Sequence, residues 1–227
     1  MKRFVRLIPM VAVVFSPLAR AQTAEEIMAS VRQVAVLQKE QTLSGKIRKG
    51  MKRIPLTLFL RGKDIQFALN GGKERFHLQL NENDQNLLEI INGKTRPFSS
   101  KKIVEQIGGT DVSYEDLALK FLYWKNPKLV GRQKINGQDC WRIHLFNPDK
   151  TGRYREVSVW VSIKQRALMR VLGYGPRPDS DPLKQFEISD IMKVNGAYTV
   201  KTMKVTSFNK KRRVAGITYL EFDKPKR

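Results

Sequence analysis

The apolar residues change period once near the start of the chain, and the change separates a helix from a long series of strands. Ile27, Val31, Val34 and Ala35 recur at helical spacing and form one stripe that ends near Lys39. Thr23 stands three positions before Glu26, a pairing in which each side chain satisfies the other's backbone N–H and so starts a helix. From Thr42 the period is two. Ile54, Leu56, Leu58 and Leu60 share one strand face, and Pro55 suggests a strand beginning or an edge. Ile65, Phe67 and Leu69 follow, then a turn at Asn70-Gly71-Gly72, then Phe76, Leu78 and Leu80. A further run over residues 85–91 closes at Asn92-Gly93. Asn and Gly accept the positive φ of tight hairpin turns, so these runs read as antiparallel strands.

The alternation stops at Gly108-Gly109. Beyond it, Tyr114, Leu117, Ala118, Phe121 and Leu122 are spaced as a helical face, with Ser113 and Asp116 placed as a second cap. This predicts an inserted helix of one to three turns over residues 113–123. Strands then resume over 128–135 and 138–146, flanking Asn136-Gly137. Residues 155–163 place Val157, Val159, Val161 and Ile163 on one side and Trp160 on the other. Residues 167–174, 186–194, 197–208 and 214–222 complete the set, with a three-proline loop over 175–182 and a basic turn over 209–213. The expected fold class is mainly β with helices (α+β), of about ten or eleven strands. A sheet this long must curl, split or close, and a curled antiparallel sheet with a helix against its concave face satisfies that need.

Composition adds constraints. The 227 residues include 43 Lys and Arg against 21 Asp and Glu, a net charge of +22, yet 41% are hydrophobic, which excludes a disordered basic tail. One cysteine excludes an intramolecular disulfide framework and zinc-finger spacing. Residues 1–21 read as a signal peptide: Lys2, Arg3 and Arg6 precede a short apolar run over 7–15, and Ala19-Arg20-Ala21 matches a cleavage site. The apolar run falls short of the roughly 20 residues that span a bilayer. The expected mature domain is 22–227, exported and without a cysteine for lipid attachment at its start. Losing Lys2, Arg3, Arg6 and Arg20 leaves 39 basic and 21 acidic side chains, a net of +18. Outside the cytoplasm the usual macromolecular anion is a membrane surface, so an anionic membrane is the expected charged partner and nucleic acid is not. Cys140, between Asp139 and Trp141, reads as a buried, inert thiol.

The sequence offers no catalytic constellation. It has no G-x-S-x-G, no Walker loop and no H-E-x-x-H, and only two histidines, His77 and His144. Glu115-Asp116 is accounted for by a helix N-terminus, which favours acidic groups. No catalytic residue, metal or cofactor is expected. The strands carry more large apolar residues than one buried face requires: Phe59 opposite Leu58, Trp160 opposite Val159, Phe146 opposite Leu145. The surplus points to a second, ligand-facing surface, with a two-layered core and no cavity as the alternative. Alternation marks Phe59, Phe67, Phe76, Leu78, Trp141, Trp160 and Met169 as inward-facing candidates for lipid contact.

The stretch Gly109-Thr110-Asp111-Val112-Ser113-Tyr114-Glu115-Asp116-Leu117 resembles the G-[ST]-D-x-S-Y-E-D-L signature of LolA-like proteins, the outer-membrane lipoprotein-sorting family. The signal peptide, the opening helix and the Asn136-Gly137 hairpin with Cys140-Trp141 agree with it. The resemblance implies a half-open antiparallel β-barrel with helices plugging its mouth. It also implies a soluble periplasmic carrier that holds acyl chains of a lipoprotein or another lipid, receiving them from inner-membrane donor proteins and passing them to outer-membrane acceptors. In that scheme the inserted helix, with Tyr114, Leu117 and Phe121 on its apolar face, acts as a lid together with the N-terminal helix. Two other readings stay open: an envelope sensor that binds lipidated or unfolded proteins, and a lipid hydrolase.

Overall fold

The computed structural model describes residues 22–36, 40–81, 84–149, 151–176, 181–194 and 197–225. The proposed signal peptide lies outside the described residues. Helix α1 (Ala24–Val36) leads into β1 (Gln41–Lys49), β2 (Lys52–Arg61), β3 (Asp64–Leu69), β4 (Glu74–Leu80), β5 (Gln85–Ile91) and β6 (Lys94–Pro97). An insert carrying the short helix α2 (Tyr114–Ala118) follows. The chain then forms β7 (Lys128–Ile135), β8 (Gln138–Phe146), β9 (Glu156–Ser162), β10 (Leu168–Tyr174), β11 (Pro182–Val194), β12 (Ala197–Phe208) and β13 (Val214–Phe222).

All thirteen strands join one sheet in the order β6-β5-β4-β3-β2-β1-β13-β12-β11-β10-β9-β8-β7. Two hairpin meanders run outward from a seam where β1 pairs antiparallel with β13, and β6 and β7 are the free edges. The count exceeds the expected ten or eleven because two strands carry almost no apolar alternation. β6 has four exposed residues. β1 buries only Leu43 and Ile47, four positions apart. Its middle residue is Gly45, where an added Cβ would lie 2.2 Å from the Glu221 carbonyl oxygen of β13. The seam therefore requires close backbone approach, which erases the hydrophobic signal at that position.

The Thr23 cap forms as expected: the Thr23 N–H donates to Glu26 (2.9 Å) and the Glu26 N–H donates to Thr23 Oγ1 (3.2 Å). Ile27, Met28 and Val31 turn α1 toward the sheet and are buried, while the Val34 and Ala35 side chains and Lys39 lie outside the described residues. One face of the sheet supplies the main core: Leu56, Leu78, Ile143, Val159, Val205 and Leu220, from six strands, belong to one buried cluster with α1 and the insert. This is the concave face, and it faces helices on one side only.

Candidate functional site

The concave face is incompletely filled. A cavity of about 240 Å³ lies against β1–β4, β12 and β13, bordered by Leu58, Phe67, Leu78 and Phe222 from the sheet and by Leu117 and Leu119 from the insert. A second cavity of about 240 Å³ lies under α1, bordered by Val31, Leu122, Leu168, Met169 and Ile188. A third, of about 60 Å³, lies between them against Val171 and Phe186. Leu119 and Met203 border all three, so they are adjoining lobes of one apolar region of the concave face, termed the hollow. Its lining is overwhelmingly apolar, and together the lobes fall within the roughly 300–1,000 Å³ of ordinary ligand pockets. The α1-side lobe reaches the surface beside the β11–β12 hairpin, where Ile191 and Tyr198 are 40% and 65% exposed.

Leu119 reaches the hollow at a backbone cost. It takes a left-handed conformation (φ 50°, ψ 36°), which ends α2 and starts a 3-10 turn over Lys120–Tyr123. The single helix expected over 113–123 is thus two short pieces joined at a strained leucine. The break sends the three residues expected on a lid's apolar face in different directions. Leu117 borders the hollow. Tyr114 is buried in the core, where its hydroxyl donates to Glu74 and its ring meets Phe76 edge-on at 5.6 Å. Phe121 packs with Trp124 against a separate cleft of about 270 Å³ behind the insert.

Every acidic group of the 109–117 stretch is tied to another element. The buried Asp111 carboxylate accepts from Ser207 (2.7 Å) and Thr218 (2.8 Å) of β12 and β13, and from Lys49 (3.1 Å) at the end of β1. Burial opposes its ionisation, yet these donors hold its carboxyl below the usual carboxylate range. Glu115 accepts both contacts from the Arg153 N–H (3.0 and 3.1 Å), and burial pushes its carboxyl up. Asp116 borders the hollow, where it accepts from Lys184 (2.5 Å), Tyr154 (2.5 Å) and the Ser113 N–H (2.7 Å). Both members of the Asp116–Lys184 pair are nearly inaccessible, and burial beside Asp116 raises the Tyr154 hydroxyl well above its ordinary value. The macrodipole reading of Glu115-Asp116 is therefore too small. These side chains fasten the insert to the sheet and to the β8–β9 loop.

The alternation candidates divide by face. Phe67, Leu78 and Met169 border the hollow. Phe76 and Trp141 are on the same face but packed into solid core: Phe76 stacks on Phe67 with centroids 4.4 Å apart, and Trp141 lies under Arg166 at 4.5 Å. Phe59 and Trp160 are corrected to the convex face. Phe59 stands opposite Thr42 and Gln66. Trp160 lies between Arg142 (5.3 Å) and Arg170 (5.8 Å), donates to Gln133 (2.9 Å) and packs in a small outer cluster with Ile135, Cys140 and Met169. Met169 touches both layers because the β9–β10 register shifts between Leu168 and Arg170. The surplus of apolar residues thus belongs in part to this outer cluster, roofed by arginine stems. Cys140 is fully buried there, and burial pushes its thiol up. Sequence reasoning missed Leu119, Val200 and Met203, since lining is decided by which gaps between elements stay open.

Among the described residues no group of three or more His, Cys, Asp or Glu side chains could hold a metal, and no helix is long and apolar enough to cross a membrane.

A protein-family model described as "-like: Uncharacterized protein" matches residues 76–226. No curated protein sequence matches the chain. Three solved structures share its fold at low identity. A domain from Vibrio parahaemolyticus assigned to outer membrane lipoprotein sorting is 14% identical, with 87% of this chain and 89% of that one covered and a TM-score of 0.64. A LolA superfamily protein from Nitrosomonas europaea is 13% identical, with 89% and 92% covered and a TM-score of 0.64. A DUF1329 family protein from Desulfovibrio piger is 18% identical, with 87% and 89% covered and a TM-score of 0.63.

Proposed function

We propose that this chain, which belongs to a LolA-like family of uncharacterized proteins, is a periplasmic carrier that shelters acyl chains in its concave hollow. The single observation that carries the reading is the hollow itself: three apolar lobes that meet at Leu119 and Met203 and open beside Ile191 and Tyr198. Each methylene exposed to water costs about 0.8 kcal/mol, so a sixteen-carbon chain costs on the order of 12 kcal/mol to cross an aqueous gap unaided. An apolar hollow removes most of that barrier. The assignment of the Vibrio relative to lipoprotein sorting supports the same use, and the signal-like residues 1–21 support export.

The chain supplies two functional devices. The sheet provides a preformed apolar wall, and α1 with the insert provides a cover fastened at a few identifiable points. Release of cargo then requires the insert to lift, and Leu119, strained and central to the lining, is the natural place for it to flex.

The test is mass spectrometry of organic extracts from protein recovered out of its native envelope. The expected result is near-equimolar acyl lipid, falling at least tenfold in Met203→Glu, which puts a carboxylate where the lobes meet. Met203 is half-buried, so thermal melts of the variant separate lost binding from lost folding. Consistently empty wild-type protein, or unchanged lipid in a folded Met203→Glu, defeats the proposal.

A further inference from the structure

The antiparallel topology brings four hairpin turns to one rim of the sheet. Strands β6 through β1, then β13 and β12, are consecutive neighbours. The turns at 49–52, 70–73, 91–94 and 209–213 therefore all project from the same end of these eight strands. That is the end where the insert docks, since Lys49 meets Asp111 there. Together these turns contain eight basic residues and no acidic one. The turns at the other end of the same strands, 61–64, 81–84 and 194–197, contain two basic residues and three acidic. Among the hairpin turns of these strands, basic residues are thus concentrated on one rim, eight against two.

Most of that charge is left unneutralised. Lys49 pairs with Asp111 and Arg212 with Asp181. Lys52, Lys73, Lys94, Lys210, Lys211 and Arg213 meet no acidic side chain among the described residues. The same rim also presents apolar side chains to water. Met51 is 98% exposed at the tip of the β1–β2 hairpin, Val214 is 56% exposed beside Arg213, and Ile91 is 39% exposed beside the β5–β6 turn. A solvated loop tip gains nothing from a methionine held fully in water. Apolar tips set among unpaired cations match an interface that is anionic at its surface and apolar beneath it.

The geometry points to this rim as a docking surface for an anionic lipid bilayer, with Met51 entering the headgroup layer and the lysines around it contacting lipid phosphates. The hollow opens at the opposite end of the strands, beside Ile191 and Tyr198, so docking leaves the mouth free. The inference stands apart from the carrier reading, because an empty hollow does not alter the rim.

Vesicle co-sedimentation tests it, using the exported protein recovered from a periplasmic extract, with its first residue read by N-terminal sequencing and kept the same in all variants. Wild type should bind vesicles of phosphatidylcholine with phosphatidylglycerol at least tenfold more tightly than phosphatidylcholine alone, and 1 M salt should abolish the difference. Lys210→Ser with Lys211→Ser should weaken binding about thirtyfold, at roughly 1 kcal/mol for each basic side chain near an anionic surface. Lys63→Ser with Lys134→Ser removes the same charge from the opposite end and should cost less than threefold. Met51→Ser should cost about fivefold without changing charge. No preference for anionic vesicles, equal losses from the two lysine pairs, or full binding by Met51→Ser would each overturn the inference. So would equal binding to a DNA duplex that ignores Met51.

Discussion

Asp111 shows how much one side chain of the 109–117 stretch controls. Its oxygens reach β12, β13 and the end of β1, and its own N–H donates to Thr218 (3.0 Å). Gly216 leaves room for it, since a Cβ there would lie 2.5 Å from Asp111 Oδ1. A carboxylate held below its ordinary pKa means the folded state binds fewer protons than the unfolded chain in the interval between the two values. Its contribution is therefore complete above the unfolded carboxylate value, about pH 4, and is lost as pH falls through the lowered folded value. Asp111→Asn should cost about 1–3 kcal/mol at pH 7, because one carboxylate oxygen becomes a donor facing a buried hydroxyl or Lys49, and Lys49 loses its counter-charge. That cost should shrink at pH 3, and urea unfolding at both pH values checks it. An equal deficit at both would mean that Asp111 acts through shape and not through charge. The sequence exposed this residue only as part of a pattern. Nothing local announces that Ser207 and Thr218, about a hundred positions away, complete its site.

At the scale of elements, the insert behaves as a cover fastened at its root and along α2. Asp111 anchors the root, Asp116 binds Lys184 of β11, and Arg32 of α1 donates to the Leu122 carbonyl (2.8 Å), joining the two covering elements. The pair Asp111→Cys and Gly216→Cys suits a disulfide: the Asp111 Cγ position, where the introduced sulfur would sit, lies 2.9 Å from a Cβ built on Gly216, as close as an S–S bond of about 2.05 Å requires. Oxidised protein should take up a fluorescent fatty acid at least tenfold more slowly than the same variant reduced. Equal rates would exclude lifting of the insert at its root from the uptake step. Periodicity placed an element here correctly but made it one continuous helix. Leu119 broke that reading, because its left-handed backbone is stabilised by packing in the hollow and not by any preference of leucine.

Across the whole molecule, a chain that keeps an apolar hollow forgoes part of the burial available to it, and under the proposed carrier function bound lipid would restore that burial. Lipid at a hundred times its Kd should add about 2.7 kcal/mol to stability. In a chain of this size that corresponds to a Tm increase of about 5–10 °C. Differential scanning fluorimetry of delipidated protein, before and after reloading with its own extracted lipid, measures it. An unchanged Tm would mean that the lipid does not bind inside the fold. The same scale explains the net charge. Spread evenly it would provide only solubility, but hairpin topology sets eight of the 43 basic residues in the turns of one rim, with no acidic residue among them.

Local patterns in the amino-acid sequence were enough to determine the helix start at Thr23, most of the strands, their Asn-Gly joints and the antiparallel class, because each depends on neighbours a few positions apart. The tertiary structure alone decided the β1–β13 seam, the convex placement of Phe59 and Trp160, the strain at Leu119 and the convergence of basic turns. Those features depend on how far the sheet curls and which distant strands become neighbours. A hollow is a gap between elements, and no segment's own periodicity encodes a gap.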